Sequence, residues 1–306
     1  MENLQPYADQ SAVICQEDFL SNVWELGRQD GGLYAIPMRF SFQTLVGKEA
    51  LLGERDGWTV EELAAFAGAH PESLLVDPAS KSIIFSLCCT FQAEAFVDRE
   101  AAECHFDLPG FREILEFSDT FASDEEPDSV SDMWKYQEDR VLLMEADIYD
   151  ADSYLAVCQA YGMAPLNFTD YPIWDGSPGH ILFQCNEMYG ISSRSKHKQK
   201  AWEFVEYYVQ WDAENTRIAG FPANVRQLEQ MLSEKTESGE LEPQAAEKLR
   251  ELIGRVAENS VTEITWGNEA DILYEEVMLY FNGQKSMEEA IRVIENRVSL
   301  YLKEVR

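Results

Sequence analysis

Apolar and polar positions along this chain follow two periods. LYAIPMRFSFQTLVG (33–47) alternates and is β-rich, with Pro37 interrupting it. Thr59 and Glu62 are spaced as a capping box, which predicts a helix carrying Leu63, Ala64, Phe66 and Ala67. Pro109 marks a second helix start, with Phe111, Ile114 and Leu115 on one face. RVLLM (140–144) reads as a short buried strand, and Asp150 or Asp152 caps the helix after it, which carries Tyr154, Leu155 and Cys158. Two short strands are predicted near ILFQC (181–185) and MYGIS (188–192). Ala201, Phe204, Val205, Tyr208 and Val209 recur at i, i+3, i+4, i+7 and i+8, a strong amphipathic helix. Residues 225–258 are helical with an acidic break at SEKTESGELEP (233–243). A second capping-box pattern, Ser286 to Glu289, opens a last helix with Ala290, Val293, Ile294 and Val298. Residues 1–30, 123–132 and 167–179 are mostly polar or rich in turn formers, and no internal repeat occurs. Helices alternating with short strands predict an α/β fold with a mixed sheet.

Charge narrows the function classes. With 24 Lys+Arg against 56 Asp+Glu, the formal net charge is −32. Such a surface repels phosphate backbones, which argues against a nucleic-acid partner and against anionic membrane surfaces. The 45% hydrophobic and 12% aromatic content sets the chain apart from a disordered acidic tail. No apolar run approaches the ~18 residues that cross a bilayer, and MENLQPYADQ lacks the basic and apolar regions of a signal peptide. None of the six cysteines sits in a C-x-x-C pair, and the four histidines are scattered, so no metal site and no cofactor are expected. Cys88 and Cys89, inside IIFSLCC, read as small buried hydrophobes.

Nucleotide-binding glycine loops, the nucleophile elbow and zinc-protease motifs are absent from the sequence. Met144 to Asp152 is the more informative stretch: a strand end followed by acids, an aromatic and a helix start. In open α/β sheets, ligands bind outside the carboxyl ends of strands. Carboxylates there fit three roles: a glycosidase pair, acceptors for sugar hydroxyls, or helix caps. Trp174 and Trp266 lie in turn-rich segments and fit either sugar stacking or anchoring of their own turns. Trp202 and Trp211 read as packing residues.

The order of segments resembles the extracellular solute-binding proteins of ABC importers, of the carbohydrate-binding, maltose-binding-protein-like kind. LYAIPMRFSFQTLVGKEALL resembles the family's crossover strand, and GWTVEELAAFA its W-T-x-x-E-L helix. RVLLMEADIYDADSYL resembles the strand and ligand-side loop of its second lobe. MYGISSRSKHKQKAWEFVEYYV, GFPANVRQLEQM and FNGQKSMEEAIRVIENRVSLYL match its later segments in order. The resemblance implies a type II periplasmic-binding-protein-like α/β fold. It assigns 39–192 plus 246–306 to a complete second lobe, and 1–38 plus 193–245 to remnants of a first lobe. Met1 to Tyr7 is similar to the segment just before the crossover, so most of the first lobe and the export signal are expected to lie outside this chain.

By the same resemblance the protein captures a carbohydrate, an oligosaccharide by expectation, with no catalytic residue. Its partners are the sugar and, in the full-length protein, ABC permease subunits. The full-length precursor is expected to be extracellular or lipid-anchored at the cell surface. Arg39, Phe40, Phe42, Phe85, Asp147, Tyr149, Trp174 and Trp266 are the expected ligand-facing residues. Loss of first-lobe partners implies weak sugar binding or none, a tendency to self-associate, and an apolar patch at Phe204, Tyr208 or Val209. The competing reading is a carbohydrate-active hydrolase with an acidic pair among Glu145, Asp147 and Asp150.

Overall fold

The computed structural model describes residues 1–89, 92–123, 133–174, 181–210, 219–259, 261–262 and 267–305. The first helices are α1 (Gln5–Ala8) and α2 (Ser21–Glu25), followed by strands β1 (Arg28–Gln29), β2 (Gly32–Leu33) and β3 (Ile36–Lys48). Next come α3 (Glu49–Leu52), β4 (Trp58–Thr59), α4 (Val60–Ala69), α5 (Lys81–Cys89), α6 (Ala93–Phe96), β5 (Val97–Asp98), β6 (Glu103–Cys104), α7 (Pro109–Asp119) and α8 (Trp134–Gln137). Strand β7 (Met144–Ile148) leads into α9 (Ala151–Ala160), then β8 (Leu166–Thr169), β9 (Pro172–Ile173), β10 (Leu182–Tyr189) and α10 (Lys198–Gln210). The chain ends with β11 (Phe221–Pro222), α11 (Val225–Ser238), α12 (Pro243–Asn259), β12 (Val261–Thr262), α13 (Glu269–Phe281) and α14 (Met287–Glu304). This is a mixed α/β architecture.

The chain forms two compact units. Unit 1 comprises Met1–Gln43, Ala146–Gln159 and Ile181–Glu263; unit 2 comprises Thr44–Glu145, Ala160–His180 and Ile264–Arg306. Unit 1 contains all of 1–38 and 193–245, the stretches that the resemblance groups together. It also takes in 39–43, 146–159, 181–192 and 246–263. Long-range bonds tie the extra pieces in: Arg39 meets Glu187, Asp152 at the start of α9 meets Lys235 of α11, and Asn22 Nδ2 donates to Val256 O at 2.7 Å.

In unit 1 the strands run in the order β11, β3, β10, β12, with β3 antiparallel to both neighbours and β12 parallel to β10. The first part of β3 is buried at every position from Ile36 to Phe42, so it reads as a central strand despite the alternation of its sequence. Helix α11 is bounded by local chemistry. Asn224 accepts from Arg226 N and Gln227 N, and Gly239, at φ 80°, ends it in the left-handed region where glycine has no Cβ penalty. That glycine turn sets the end of the helix, so α11 runs through Ser238 and past the start of the expected acidic break.

In unit 2 the end of β3 pairs antiparallel with β8, and β4 pairs parallel with β9. Thr44 Oγ1 donates to Thr169 O at 2.7 Å, and Trp58 Nε1 donates to Thr169 Oγ1 at 2.9 Å. Helix α4 starts at the expected reciprocal box: Glu62 N donates to Thr59 Oγ1, and Thr59 N donates to Glu62 Oε2. Helix α7 starts at Pro109 and buries Phe111, Ile114 and Leu115. Ser286 caps α14 by accepting from Glu289 N. Helices α13 and α14 pack into the core with Val277, Phe281, Ile294 and Val298.

Three expected strands differ. Val141, Leu142 and Leu143 are buried, but among the described residues 140–143 bond to Leu74, Leu75 and Lys135 without forming a ladder, and the strand proper is β7, starting at Met144. Burial produced that signal without a ladder. The two strands expected at 181–185 and 188–192 are one strand, β10, whose register against β3 shifts between Cys185 and Glu187 and again between Glu187 and Met188. Most of the acidic stretch 123–132 lies outside the described residues, as does Trp211.

Candidate functional site

Strand β7 ends in the stretch singled out from the sequence. Ala146 and Ile148 are buried, while Glu145 and Asp147 alternate with them on the exposed face of the strand, and Tyr149, directly after the strand, is exposed as well. The turn that follows is held by a reciprocal cap. Ser153 N donates to Asp150 Oδ1 at 2.7 Å, and Ser153 Oγ accepts from Tyr149 N and Asp150 N, each at 3.0 Å. Asp150, and not Asp152, is therefore the capping acid of α9. The same bonds fix the backbone of Tyr149, whose side chain leaves the residue 37% exposed.

The acids differ in what surrounds them. Glu145 Oε1 accepts from Tyr171 OH at 2.8 Å. Asp147 makes no hydrogen bond or ion pair among the described residues, and partial desolvation pushes its carboxyl above the ordinary aspartate value. An available carboxylate two residues from an exposed ring offers a hydrogen-bond acceptor and a stacking face. A polyhydroxylated ligand uses both.

Four expected ligand-facing residues are placed otherwise. Phe40 and Phe42 are fully buried in unit 1, packed on Phe221 at centroid distances of 5.7 and 5.9 Å. Phe85 is fully buried on α5, edge-on to Phe111, Tyr274 and Phe281. Arg39 is 7% exposed; its Nη1 donates to Gly220 O at 2.8 Å and its Nε lies 3.7 Å from Glu187 Oε2. These four expectations are corrected: a side chain enclosed by its own unit has no face left for a ligand. The alternation along 33–47 concealed this, because β3 is covered on both faces.

Arg39 belongs to an internal polar cluster. Glu187 Oε1 accepts from Tyr189 OH at 2.9 Å and Tyr208 OH at 3.1 Å. Burial, together with the neighbouring carboxylate, pushes both phenols above the ordinary tyrosine value. No sequence signal connected these residues, which come from β3, β10 and α10.

Trp174 is half-buried in unit 2. Its N–H of the backbone donates to Gln92 Oε1 at 3.0 Å, its ring stacks near Phe96 at 6.4 Å, and it leaves no room for a Cβ at Gly110. The indole Nε1 is buried without an acceptor among the described residues. These contacts hold Trp174 against Gln92, Phe96 and the start of α7. Trp266 lies outside the described residues. Trp202 is buried in unit 1, as expected of a packing residue, with Tyr7 at 5.6 Å. That pair forms part of a polar cavity of about 590 Å³ that also involves Glu2, Asn3, Gln10 and Gln199, a feature the sequence did not mark. Among the described residues no cluster of His, Cys, Asp and Glu is arranged to hold a metal ion.

No protein-family model matches the sequence, and neither does any curated protein. Solved structures do match the fold. The sugar-binding protein MalE from the phytopathogen Xanthomonas citri superimposes with a TM-score of 0.67 at 18% identity, over 100% of this chain and 80% of that one. The GacH receptor of Streptomyces glaucescens, solved unliganded and with acarbose, gives 0.57 at 15% identity, over 99% and 79%. An ABC transporter solute-binding protein from Thermotoga lettingae, bound with α-D-tagatose, gives 0.57 at 13% identity, over 99% and 80%. Over its whole length, then, the chain has the α/β fold of the MalE-like solute-binding proteins.

Proposed function

We propose that this protein captures a carbohydrate, an oligosaccharide by preference, as the substrate-binding component of an ABC importer, outside the cytoplasm and without catalysis. The observation that supports this most is the end of β7, where an exposed tyrosine follows two residues after a carboxylate without a partner among the described residues, on a fold shared with sugar-binding proteins. Tyr149 supplies the stacking face and Asp147 accepts from sugar hydroxyls. Trp174 and Trp266 are further aromatic candidates through the family resemblance alone. The hydrolase reading loses support from the same geometry. Asp150 caps α9 and Glu145 is bonded to Tyr171, so Asp147 has no second unengaged carboxylate among these three.

Titration calorimetry against a panel of α- and β-linked gluco-, manno- and xylo-oligosaccharides tests the reading. Weak saturable binding to at least one member is expected, reduced about tenfold or more in Tyr149→Ala, since one such contact is worth on the order of 1.4 kcal/mol. No saturable signal up to about 10 mM, where a Kd would mean only about −2.7 kcal/mol of binding energy, would overturn capture. Release of shorter sugars during incubation would overturn the non-catalytic part.

A further inference from the structure

A groove in unit 2 lies between helices α4 and α7, with a volume of about 880 Å³. Its floor is apolar: Val60, Leu75 and Phe117 are buried there. One wall is smooth, because Ala64, Ala67 and Gly68 stand at i, i+3 and i+4 of α4. The other wall presents Glu113, Glu116 and Phe117, the matching stripe of α7. With Glu61 the rim carries three exposed carboxylates. Among the described residues no Lys or Arg lines the groove, and none of the three acids makes an ion pair or hydrogen bond.

We infer that this groove docks a basic amphipathic helix of a partner protein. Acids are common on this surface, and the rim alone would mean little. An apolar floor beneath an unpaired acidic rim is a different matter: the floor calls for apolar side chains and the rim for cations beside them. A helix with leucine-type residues on one face and Lys or Arg flanking them meets both requirements. The small side chains of α4 let such a helix approach to the ~8–10 Å axial spacing of packed helices. Each wall extends over about two turns, long enough to seat i, i+4 and i+7 anchors. A second copy of this chain fits less well, because its charge of −32 opposes self-docking on an acidic rim. The inference goes beyond sugar capture and does not rest on it.

The test uses the whole chain and a fluorescein-labelled 18-residue peptide with Leu at i, i+3, i+4 and i+7 and Lys on both flanks. Anisotropy should show saturable binding that weakens about tenfold with Glu in place of Lys, and again as salt rises from roughly 50 to 500 mM. The combined Glu61→Gln, Glu113→Gln and Glu116→Gln variant should weaken it about tenfold by removing the rim charges. Ala64→Trp should do the same by filling the groove, with unchanged far-UV circular dichroism confirming the fold of both variants. A peptide of the same composition in scrambled order should bind at least tenfold more weakly, because its apolar face is gone. Absence of saturable binding, equal binding of the scrambled peptide, or indifference to both variants would each overturn the proposal. Light scattering that shows a dimer abolished by Ala64→Trp would assign the groove to a second copy and overturn it as well.

Discussion

Arg39 and Glu187 show how one pair of side chains decides between a binding role and a structural one. Both are 7% exposed, and two tyrosine hydroxyls donate to Oε1 of the carboxylate, leaving Oε2 to the Arg39 guanidinium at 3.7 Å. Removing one member of a buried ion pair leaves the other uncompensated, which costs about 3–5 kcal/mol. Arg39→Met should therefore lower stability by about 3 kcal/mol in urea unfolding, and Arg39→Met with Glu187→Leu should recover part of that loss. A variant that kept full stability and lost sugar binding would return Arg39 to the ligand site. Asp147 behaves oppositely. Desolvation raises its folded pKa, so the folded state holds the proton more tightly than the unfolded chain does. Its contribution is most favourable below the ordinary aspartate value and declines as pH rises through the raised folded value. Asp147→Asn should then be at least as stable as the parent at pH 7, with the gap closing at acid pH. An NMR titration placing the Asp147 midpoint at or below the ordinary value would contradict this.

At the level of elements, helices α13 and α14 are joined by a buried carboxylate. Glu276, 3% exposed on α13, meets Lys285 in the connection and Arg297 Nη1, the latter at 2.6 Å. Burial alone would raise its pKa, but the bonds from Lys285 and Arg297 outweigh it and hold the carboxyl below the usual range. The sign is that of an acid with a depressed folded pKa. Its stabilisation is present above the unfolded value and is lost as pH falls through the folded one. Glu276→Ala should cost about 3 kcal/mol at pH 7, and the difference from the parent should shrink as pH drops below the carboxylate range. Thermal melts of both proteins at pH 7 and pH 3 would check it. An unchanged gap would mean that packing, not charge, makes the contribution.

For the molecule as a whole, the charge of −32 and the exposed aromatics of α10 act against each other. Phe204 is 52% exposed and Tyr207 61%, whereas Val205 and Val209 face inward. The expectation of an apolar patch is met at Phe204, partly at Tyr208 and not at Val209, which is buried. Exposed aromatic surface favours association, and like charge opposes it until salt screens it. Light scattering should show mass rising between roughly 10 and 500 mM salt, and Phe204→Ser with Tyr207→Ser should remove the rise. A monomer at both salt concentrations would show that repulsion prevails throughout. Fold recognition also belongs to this scale: the order of segments was legible in the sequence although solved neighbours are only 13–18% identical.

The sequence by itself determined the features whose partners lie within four residues. The Thr59–Glu62 box and Pro109 at the first turn of α7 are formed as their spacing implies, Ser286 forms its half of the expected box by accepting from Glu289 N, and the spacing left α9 a choice of Asp150 or Asp152 that the local bonds give to Asp150. Asp147 and Tyr149 are exposed at the strand end that the sequence marks, and their expected ligand-facing role rests on the family resemblance. The tertiary structure alone decided which aromatics are core. Phe40, Phe42 and Phe85 carry the same local signal whether a sheet or helix covers their second face or leaves it open, and the covering residues come from Phe221, Phe111 and Phe281. The Arg39 partnership with Glu187, the floor of the α4–α7 groove and the division into units at residues 43, 145, 159, 180 and 263 are of that kind too. Burial and pairing depend on groups brought together across long stretches of chain, and no local spacing encodes which of two possible neighbours arrives.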